Sequence, residues 1–152
     1  MAAAAGTHLF TIERTIKVLH YPAQKALVGE WESLCTPQFR EALLRSMDEA
    51  YRLGAKSWIV DLTRDPGVPT QDDLKWVETF NVGNALRKGV TACINVHGAS
   101  ALAKMGARRW TKSASEQGMV TADCATLDEA LEIAAQVANG VAAQGHSASP
   151  RP

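Results

Sequence analysis

The residues with the clearest chemical potential follow an apolar run in the middle of the chain. The stretch Trp58–Trp76 reads WIVDLTRDPGVPTQDDLKW: the apolar run ends at Asp61, and a loop rich in Pro and Gly leads to Thr70. A helical pattern begins after Thr70, so its hydroxyl is either a phosphate acceptor at the positive end of a helix dipole or the N-cap of that helix. Asp61 is either a ligand-binding carboxylate or the acceptor of an Asx-type turn that ties down the loop.

A second stretch, NVHGAS, follows another apolar run. Its His97 could transfer a proton and its Ser100 could act as a nucleophile, with Asp61 or Asp123 as the acid partner. The glycine that closes a G-x-S-x-G nucleophile elbow is missing, because Leu102 stands in its place. The alternatives are that Ser100 caps the next helix while His97 lies in the loop, or that this helix start forms an anion or ligand pocket. The sequence therefore predicts no catalytic residue, and an enzyme ranks behind the binding functions.

A basic stripe recurs at helical spacing further along the chain. Lys104, Arg108 and Lys112 stand four residues apart, with Arg109 beside them. Such a stripe either binds a lipid headgroup, a phosphate or an acidic protein partner, or is the solvated face of a helix. In the second case, the apolar side of that helix consists of Leu102, Met105 and Trp110.

The composition argues against several classes of function. Lys plus Arg equals Asp plus Glu at 16 each, and the formal net charge of zero argues against a nucleic-acid partner. The four histidines are scattered, so we expect no metal site, and no motif predicts a cofactor. The three cysteines, Cys35, Cys93 and Cys124, form no CxxC pair, which favours a reducing cytoplasm. We expect neither a membrane-spanning segment nor a signal peptide.

The elements that position these residues follow from the change of hydrophobic period along the chain. Three short alternating segments, HLFTIERT, IKVLHYP and KALVGEWES, predict an antiparallel meander in which Gly29 could form a bulge. Helical patterns and apolar runs then alternate, with helix starts at Thr36-Pro37, Thr70, Ser100 and Thr126. The predicted order is β-β-β-α-β-α-β-α-β-α, an α/β fold with a mixed β-sheet and helices packed against it.

The second of these helices is predicted to run towards Lys88, with an apolar stripe formed by Leu74, Val77, either Phe80 or Asn81, and Leu86. We expect one folded domain over residues 7–140, between flexible tails at residues 1–6 and 141–152.

Loops at the carboxyl ends of parallel strands are the usual place for ligand and control sites. In the predicted sheet these are the loops 63–70, 97–100 and 123–126. We predict a partner or ligand surface formed mainly by the first two loops, the strand end before them and the helix start after them. Its residues are Asp61, Thr63, Arg64, Asp65, Asp72, Asp73, His97 and Ser100.

The order of these elements resembles the STAS domain, the fold of bacterial anti-sigma factor antagonists, and within it the small bacterial STAS/SEC14-like proteins. Their pattern is an apolar strand ending in Asp, a loop, a helix bearing a Trp, a Gly-led strand and a terminal helix with an acidic start. The corresponding segments here are WIVDL, the stretch Thr70–Trp76, KGVTACINV and LDEALEIA. The resemblance covers roughly residues 8–138.

The resemblance implies a non-catalytic regulatory module of a bacterial cytoplasm that acts through protein–protein interaction. Anti-sigma factor antagonists carry an Asp-Ser-Ser-Gly signature whose first Ser is phosphorylated, and its counterpart here is Pro69-Thr70-Gln71-Asp72. Thr70 falls on the phosphoacceptor position, whereas the Asp, the second Ser and the Gly of the signature are absent. A phosphate on Thr70 would add about two negative charges and could switch docking on or off.

Two further hypotheses concern binding partners. The SEC14-like resemblance and the basic stripe of Lys104, Arg108 and Lys112 favour, as the alternative function, a module that binds an anionic lipid or a small anion. The short strands at the start of the domain could leave an edge exposed, and such an edge could pair two copies into a homodimer.

Overall fold

The computed structural model describes residues 5–140, which form an α/β fold with a six-stranded mixed sheet and helices around it. The strands are β1 (Thr7–Ile12), β2 (Ile16–Tyr21), β3 (Ala26–Trp31), β4 (Ser57–Leu62), β5 (Ala92–His97) and β6 (Val120–Cys124). The helices are α1 (Phe39–Leu53), α2 (Gln71–Trp76), a π-helical turn (Val77–Asn81), α3 (Val82–Arg87), α4 (Ala101–Glu116) and α5 (Leu127–Ala138), with a 3-10 turn at Pro22–Gln24. The predicted fold class is confirmed. The order of elements also agrees with the prediction, since α2, the π-helical turn and α3 together form the one continuous helix that was expected between β4 and β5.

The strands lie in the sheet in the order of the sequence, from β1 to β6. The pairs β1–β2 and β2–β3 are antiparallel, and the three remaining pairs are parallel. Each parallel crossover advances by one strand in the same direction, so right-handed connections place α1, α2–α3 and α4 on one face of the sheet. The last helix, α5, covers the opposite face.

Two hydrophobic cores follow from this arrangement, one on each face of the sheet. The larger core lies under the three crossover helices and contains Trp31, Trp58 and Trp110. On the other face, Ile59 and Ile94 lie in a second, smaller core together with the buried residues of α5. The central strands are apolar on both sides because both of their faces are covered.

The glycine of β3 serves close packing rather than a bulge. Gly29 pairs in register with both neighbouring strands, so the predicted bulge is wrong. A Cβ at Gly29 would lie 2.5 Å from Cη2 of Trp58 and 2.9 Å from Cδ1 of Ile16. The register shift lies instead between His8 and Phe10 of the edge strand β1, a common place for irregular pairing.

The first helix begins later than predicted. α1 starts at Phe39 rather than at Pro37. The Thr36 hydroxyl accepts the Gln38 N–H at 3.0 Å and lies 3.1 Å from the hydroxyl of Thr15. Thr36 therefore closes a turn before the helix and ties that turn to the β1–β2 hairpin.

A π-helical turn between α2 and α3 changes which side chains face the core. Asn81 is buried at 6% exposure, whereas Phe80 lies at the surface, so Asn81 occupies the core position that sequence left open between the two. In the same turn the Thr79 hydroxyl donates to the Lys75 carbonyl at 2.8 Å, and such back-bonding competes with regular helical pairing. π-helical turns of this kind are frequent at functional sites.

The buried side of α4 differs from the predicted one. Trp110 is buried as expected, but Leu102 and Met105 are 60% and 61% exposed. Small side chains, Ala103 and Ala107 among them, face the sheet instead. The buried face of α4 therefore consists of alanines and Trp110, whereas Leu102 and Met105 lie on its exposed face.

The edge strands and the ends of the chain bear on three further expectations. β1 and β6 form the two edges of the sheet, and pairing of two copies at β1 stays a prediction. The predicted tails at residues 1–6 and 141–152 lie almost wholly outside the described residues. No helix within residues 5–140 is long and apolar enough to span a membrane.

Candidate functional site

Two of the loops that follow parallel strands, 63–70 and 98–100, are in direct contact. A Cβ on Gly98 would lie 3.2 Å from the Leu62 carbonyl oxygen, and Oδ1 of Asp65 accepts the Ser100 N–H at 3.3 Å. Asp65 adopts a positive φ of 54°, a left-handed conformation that Asp tolerates better than most residues. The strand order β1 to β6 does not reverse, so these loops follow neighbouring strands and do not flank a topological switch point.

The Asp61 carboxylate holds the start of the first loop. Its Oδ1 accepts the Thr63 N–H at 2.9 Å and the Thr63 hydroxyl at 2.7 Å. This is the Asx-type turn that was one of the two readings of Asp61. Arg64, next in the loop, is exposed.

Thr70 is exposed and caps α2. Its hydroxyl oxygen accepts the Asp73 N–H at 3.1 Å. Arg40 of α1 reaches this helix start, where its Nε donates to Oδ1 of Asp73 at 2.7 Å and its Nη2 to the Asp72 carbonyl at 3.4 Å. The guanidinium thus compensates the charge of one of the two carboxylates that follow Thr70, and it lies 5.3 Å from the ring centroid of Trp76.

A network of polar side chains connects α4 to the neighbouring strands β5 and β6. The buried Asn95 accepts the indole N–H of Trp110 at 3.0 Å and donates to Thr111 at 2.8 Å and to Asp123 at 3.1 Å. Oδ1 of Asp123 also lies 2.7 Å from Nε2 of His97. The other ring nitrogen of His97, Nδ1, is buried and has no partner within residues 5–140.

The residues considered for nucleophilic catalysis lie in separate hydrogen-bonding groups. The Ser100 hydroxyl accepts the Ala103 N–H at 3.1 Å and thereby caps α4. His97 bonds to Asp123, and Asp61 bonds to Thr63. Within the described part of the chain, neither Ser100 nor Asp61 is hydrogen-bonded to His97. Within residues 5–140, no group of three or more His, Cys, Asp or Glu side chains could hold a metal ion.

The basic stripe on α4 divides into free and paired cations. Lys104 and Arg108 are exposed and make no ion pair with any residue that the structure describes. Lys112 lies 3.7 Å from Glu116 of the same helix. Arg109, beside the stripe, instead points to the π-helical turn, where it is held by Glu78.

The contact between Arg109 and Glu78 joins α4 to the preceding helix. Nε of Arg109 donates to Oε2 of Glu78 at 2.7 Å, and Nη2 donates to Oε1 at 3.2 Å. The Arg109 hydrogen bonds hold the pKa of the Glu78 carboxyl below its ordinary value of 4.5. Gln71 accepts a third hydrogen bond from the same guanidinium. This bidentate clasp holds α4 against the π-helical turn.

Two large apolar residues of α4 are exposed next to the free cations in the chain. Leu102 and Met105 lie on the exposed side of α4, close in sequence to Lys104 and Arg108. The loop packs against the same helix, because a Cβ on Gly106 would lie 2.7 Å from Cγ1 of Val68. We call the loop 63–70 together with Leu102, Lys104, Met105 and Arg108 the carboxyl-edge surface.

Sequence reasoning missed three parts of this region. Arg40 is distant in sequence from Thr70, and no local signal connects them. Asn95 looked like an ordinary polar residue at the end of an apolar run. Leu102 and Met105 were assigned to the core, although the alanines at positions 103, 107 and 114, which are spaced for one helix face, were a usable signal.

Comparison of the chain with protein-family models, with curated proteins and with solved structures finds no match.

Proposed function

We propose that this chain is a regulatory module of the bacterial cytoplasm that works by docking a protein partner on its carboxyl-edge surface. The observation that supports this most is the exposure of Leu102 and Met105 beside the loop 63–70. Exposed apolar residues that lie together and are bordered by polar groups mark interaction sites more often than isolated ones do.

The chemistry of the surface specifies the partner. Lys104 and Arg108 stand next to the apolar pair in the chain, and no carboxylate within residues 5–140 forms an ion pair with them. A complementary partner therefore presents an apolar anchor surrounded by Asp or Glu side chains. The strand order does not reverse at this edge, and reversals are where crevices for small molecules open in such sheets, so a protein surface fits better than a small molecule.

A switch at Thr70 is the second part of the proposal. Thr70 is exposed, and Arg40 lies at the same helix start with a charge that could pair with a phosphate. A phosphate would also meet Asp72, which is exposed and has no basic side chain paired to it among the described residues. We expect phosphorylation to weaken docking of an acidic partner, since it places negative charge at the rim of the carboxyl-edge surface.

Affinity capture with matched variants tests the docking proposal. The wild type and a Leu102→Ser/Met105→Ser variant are used as baits in lysate of the native host, and recovered proteins are quantified by mass spectrometry. A Tyr51→Ser variant is the control. Tyr51 is 67% exposed and lies near the end of α1, which leads to the amino end of β4 and not to a carboxyl end. We expect a protein that the wild type and the control recover and the double variant loses; equal recovery by all three baits contradicts the proposal.

The switch is tested on the recovered bait itself. Intact-mass analysis of the wild type and Thr70→Ala should reveal one phosphate on the wild type only. Thr70→Glu should recover less partner than Thr70→Ala does. If neither substitution changes partner recovery and no phosphate is found, Thr70 is only a helix cap.

The free cations also favour one alternative, a contact with anionic lipid. Lys104, Arg108 and the exposed Leu102 and Met105 combine charge and apolar area as interfacial helices do. Flotation with vesicles containing phosphatidylserine separates the two functions. Flotation lost in Lys104→Gln/Arg108→Gln, without a captured protein, supports the lipid contact over the protein partner.

A further inference from the structure

We propose that a cavity between the sheet and the crossover helices binds a small neutral molecule that carries a hydroxyl group. This goes beyond the docking function and uses none of the residues of the carboxyl-edge surface. The cavity measures about 60 Å³, and the residues that line it are all buried, including Trp31, Trp58 and Trp110.

The size of the cavity limits its occupant. A volume of about 60 Å³ exceeds the roughly 10–15 Å³ that one water molecule needs. It is smaller than the engineered apolar cavity of about 150 Å³ that binds benzene. The occupant therefore has roughly three or four non-hydrogen atoms. Met47 and Met119 line the cavity, and their flexible side chains allow some adjustment to a larger guest.

Two residues that line the cavity each carry a polar atom without a hydrogen-bond partner within residues 5–140. Nε1 of Trp31 and Oδ1 of Asn81 are buried without a hydrogen-bond partner in the described part of the chain. Trp31 is 1% exposed and Asn81 is 6% exposed, so solvent does not satisfy them. Buried polar groups are nearly always paired, and here one unpaired donor and one unpaired acceptor belong to residues that line the same cavity.

The polarity of these groups specifies the ligand. The indole N–H of Trp31 needs an acceptor, and the amide oxygen of Asn81 needs a donor. A hydroxyl group offers both. Among the described residues that line the cavity none is charged, and burial raises the pKa of the Cys93 thiol to about 12, so the Cys93 side chain stays neutral. An ionic ligand would lose its hydration there without compensation.

The π-helical turn gives the site its polar end. This turn places Asn81 in the core, and Val77 and Val82 beside it also line the cavity. A regular α-helix through the same residues would rotate Asn81 relative to the sheet. The π-helical turn therefore forms part of the cavity wall and places its polar residue.

The experiment uses 2-propanol as the probe and the indole ¹⁵N–¹H resonance of Trp31 as the readout, assigned by its loss in Trp31→Phe. We expect a saturable shift of this resonance at millimolar 2-propanol. Asn81→Leu should weaken the apparent affinity at least about tenfold, because the acceptor is removed and the space is filled. Asn84→Leu is the matched control: Asn84 is also buried with an unpartnered amide nitrogen, but it does not line the cavity.

The other outcomes separate the possibilities. If Asn81→Leu does not fold, Ala85→Leu should abolish the shift, because Ala85 lines the cavity and a larger side chain occupies it. A linear, non-saturating shift, or an unchanged response in the folded cavity variants, overturns the proposal. So does an indole that exchanges protons with water and does not respond to 2-propanol, which indicates that the cavity holds water only.

Discussion

At the scale of single residues, the buried asparagines differ in whether their polar atoms have hydrogen-bond partners. Asn95 lies in the central strand β5 with both its amide oxygen and its amide nitrogen hydrogen-bonded. Asn81 and Asn84 are also buried, yet each has a polar atom without a partner among the described residues. The same residue type therefore has opposite energetic roles at these positions.

We predict that Asn95→Leu destabilises the protein by about 2–4 kcal/mol, because it leaves the buried indole N–H of Trp110 and the Thr111 hydroxyl without their partner. Asn84→Leu should be neutral or slightly stabilising, since it removes an amide nitrogen that is already unpaired. Urea unfolding of the two variants measures this difference. Equal destabilisation by both substitutions would refute the assignment of the Asn95 network.

The three cysteines should differ in reactivity. Cys93 and Cys124 are buried, and burial raises their pKa values to about 12 and about 11, whereas Cys35 is exposed. The thiolate is the reactive species, so we expect alkylation of Cys35 alone in the native protein at pH 8 and of all three in urea. Mass spectrometry of iodoacetamide-treated protein tests this, and rapid native labelling of Cys93 would show that its core position is wrong.

At the scale of elements, the sequence predicted the order of strands and helices because their hydrophobic periods are clear and their caps are explicit. Thr70, Ser100 and Thr126 each accept the N–H that an N-cap accepts. The apolar side of α4 was assigned wrongly, because large apolar residues were weighed above alanines. The π-helical turn could not be predicted, since it depends on packing between α2–α3 and the sheet.

Two glycines differ in the space that a side chain would find, one in a strand of the sheet and one in a helix. Gly29→Ala should cost about 1–3 kcal/mol, because its Cβ would overlap the ring of Trp58. Gly83→Ala should instead stabilise by about 0.5–1 kcal/mol, since Gly83 lies within α3 and its nearest neighbour is the end of the Arg87 side chain at 3.4 Å. Thermal unfolding of both variants checks the predicted opposite signs.

The clasp between α4 and the π-helical turn should depend on pH. The hydrogen bonds from Arg109 lower the folded-state pKa of Glu78, so its contribution is present above its ordinary pKa of 4.5 and is lost as pH falls through the lowered value. Glu78→Gln should lower the free energy of unfolding by about 0.5–1 kcal/mol at pH 7, a modest effect because the pair is partly exposed. The difference from wild type should be smaller at about pH 4 than at pH 7, because protonation of the wild-type carboxyl begins to remove it below pH 4.5.

A matched control for the clasp is Glu116→Gln, which removes the exposed contact with Lys112. We expect it to change the free energy of unfolding by less than about 0.5 kcal/mol at either pH. A pH-independent effect of Glu78→Gln would show that the carboxylate charge does not stabilise this contact.

At the scale of the whole molecule, the sheet topology decides which loops meet. Strand order follows sequence order, so Asp61, Thr70 and His97 all lie near one edge, as the alternating pattern predicted. The hydrogen bonds in this region could not be predicted, because Asp65 contacts Ser100 and Arg40 contacts Asp73 across long sequence separations. The sequence therefore indicated the loops and the basic stripe of the candidate site, and only three-dimensional packing shows that Leu102 and Met105 are exposed there.

The central claim is that a protein partner docks on the carboxyl-edge surface, and hydrogen exchange with and without the captured partner tests it most directly. We predict that amides in residues 63–70 and 98–108 exchange about tenfold more slowly in the complex, whereas those around Tyr51 are unchanged. Protection confined to the edge strand β1, or to the outer side of α1, would contradict docking at the carboxyl-edge surface.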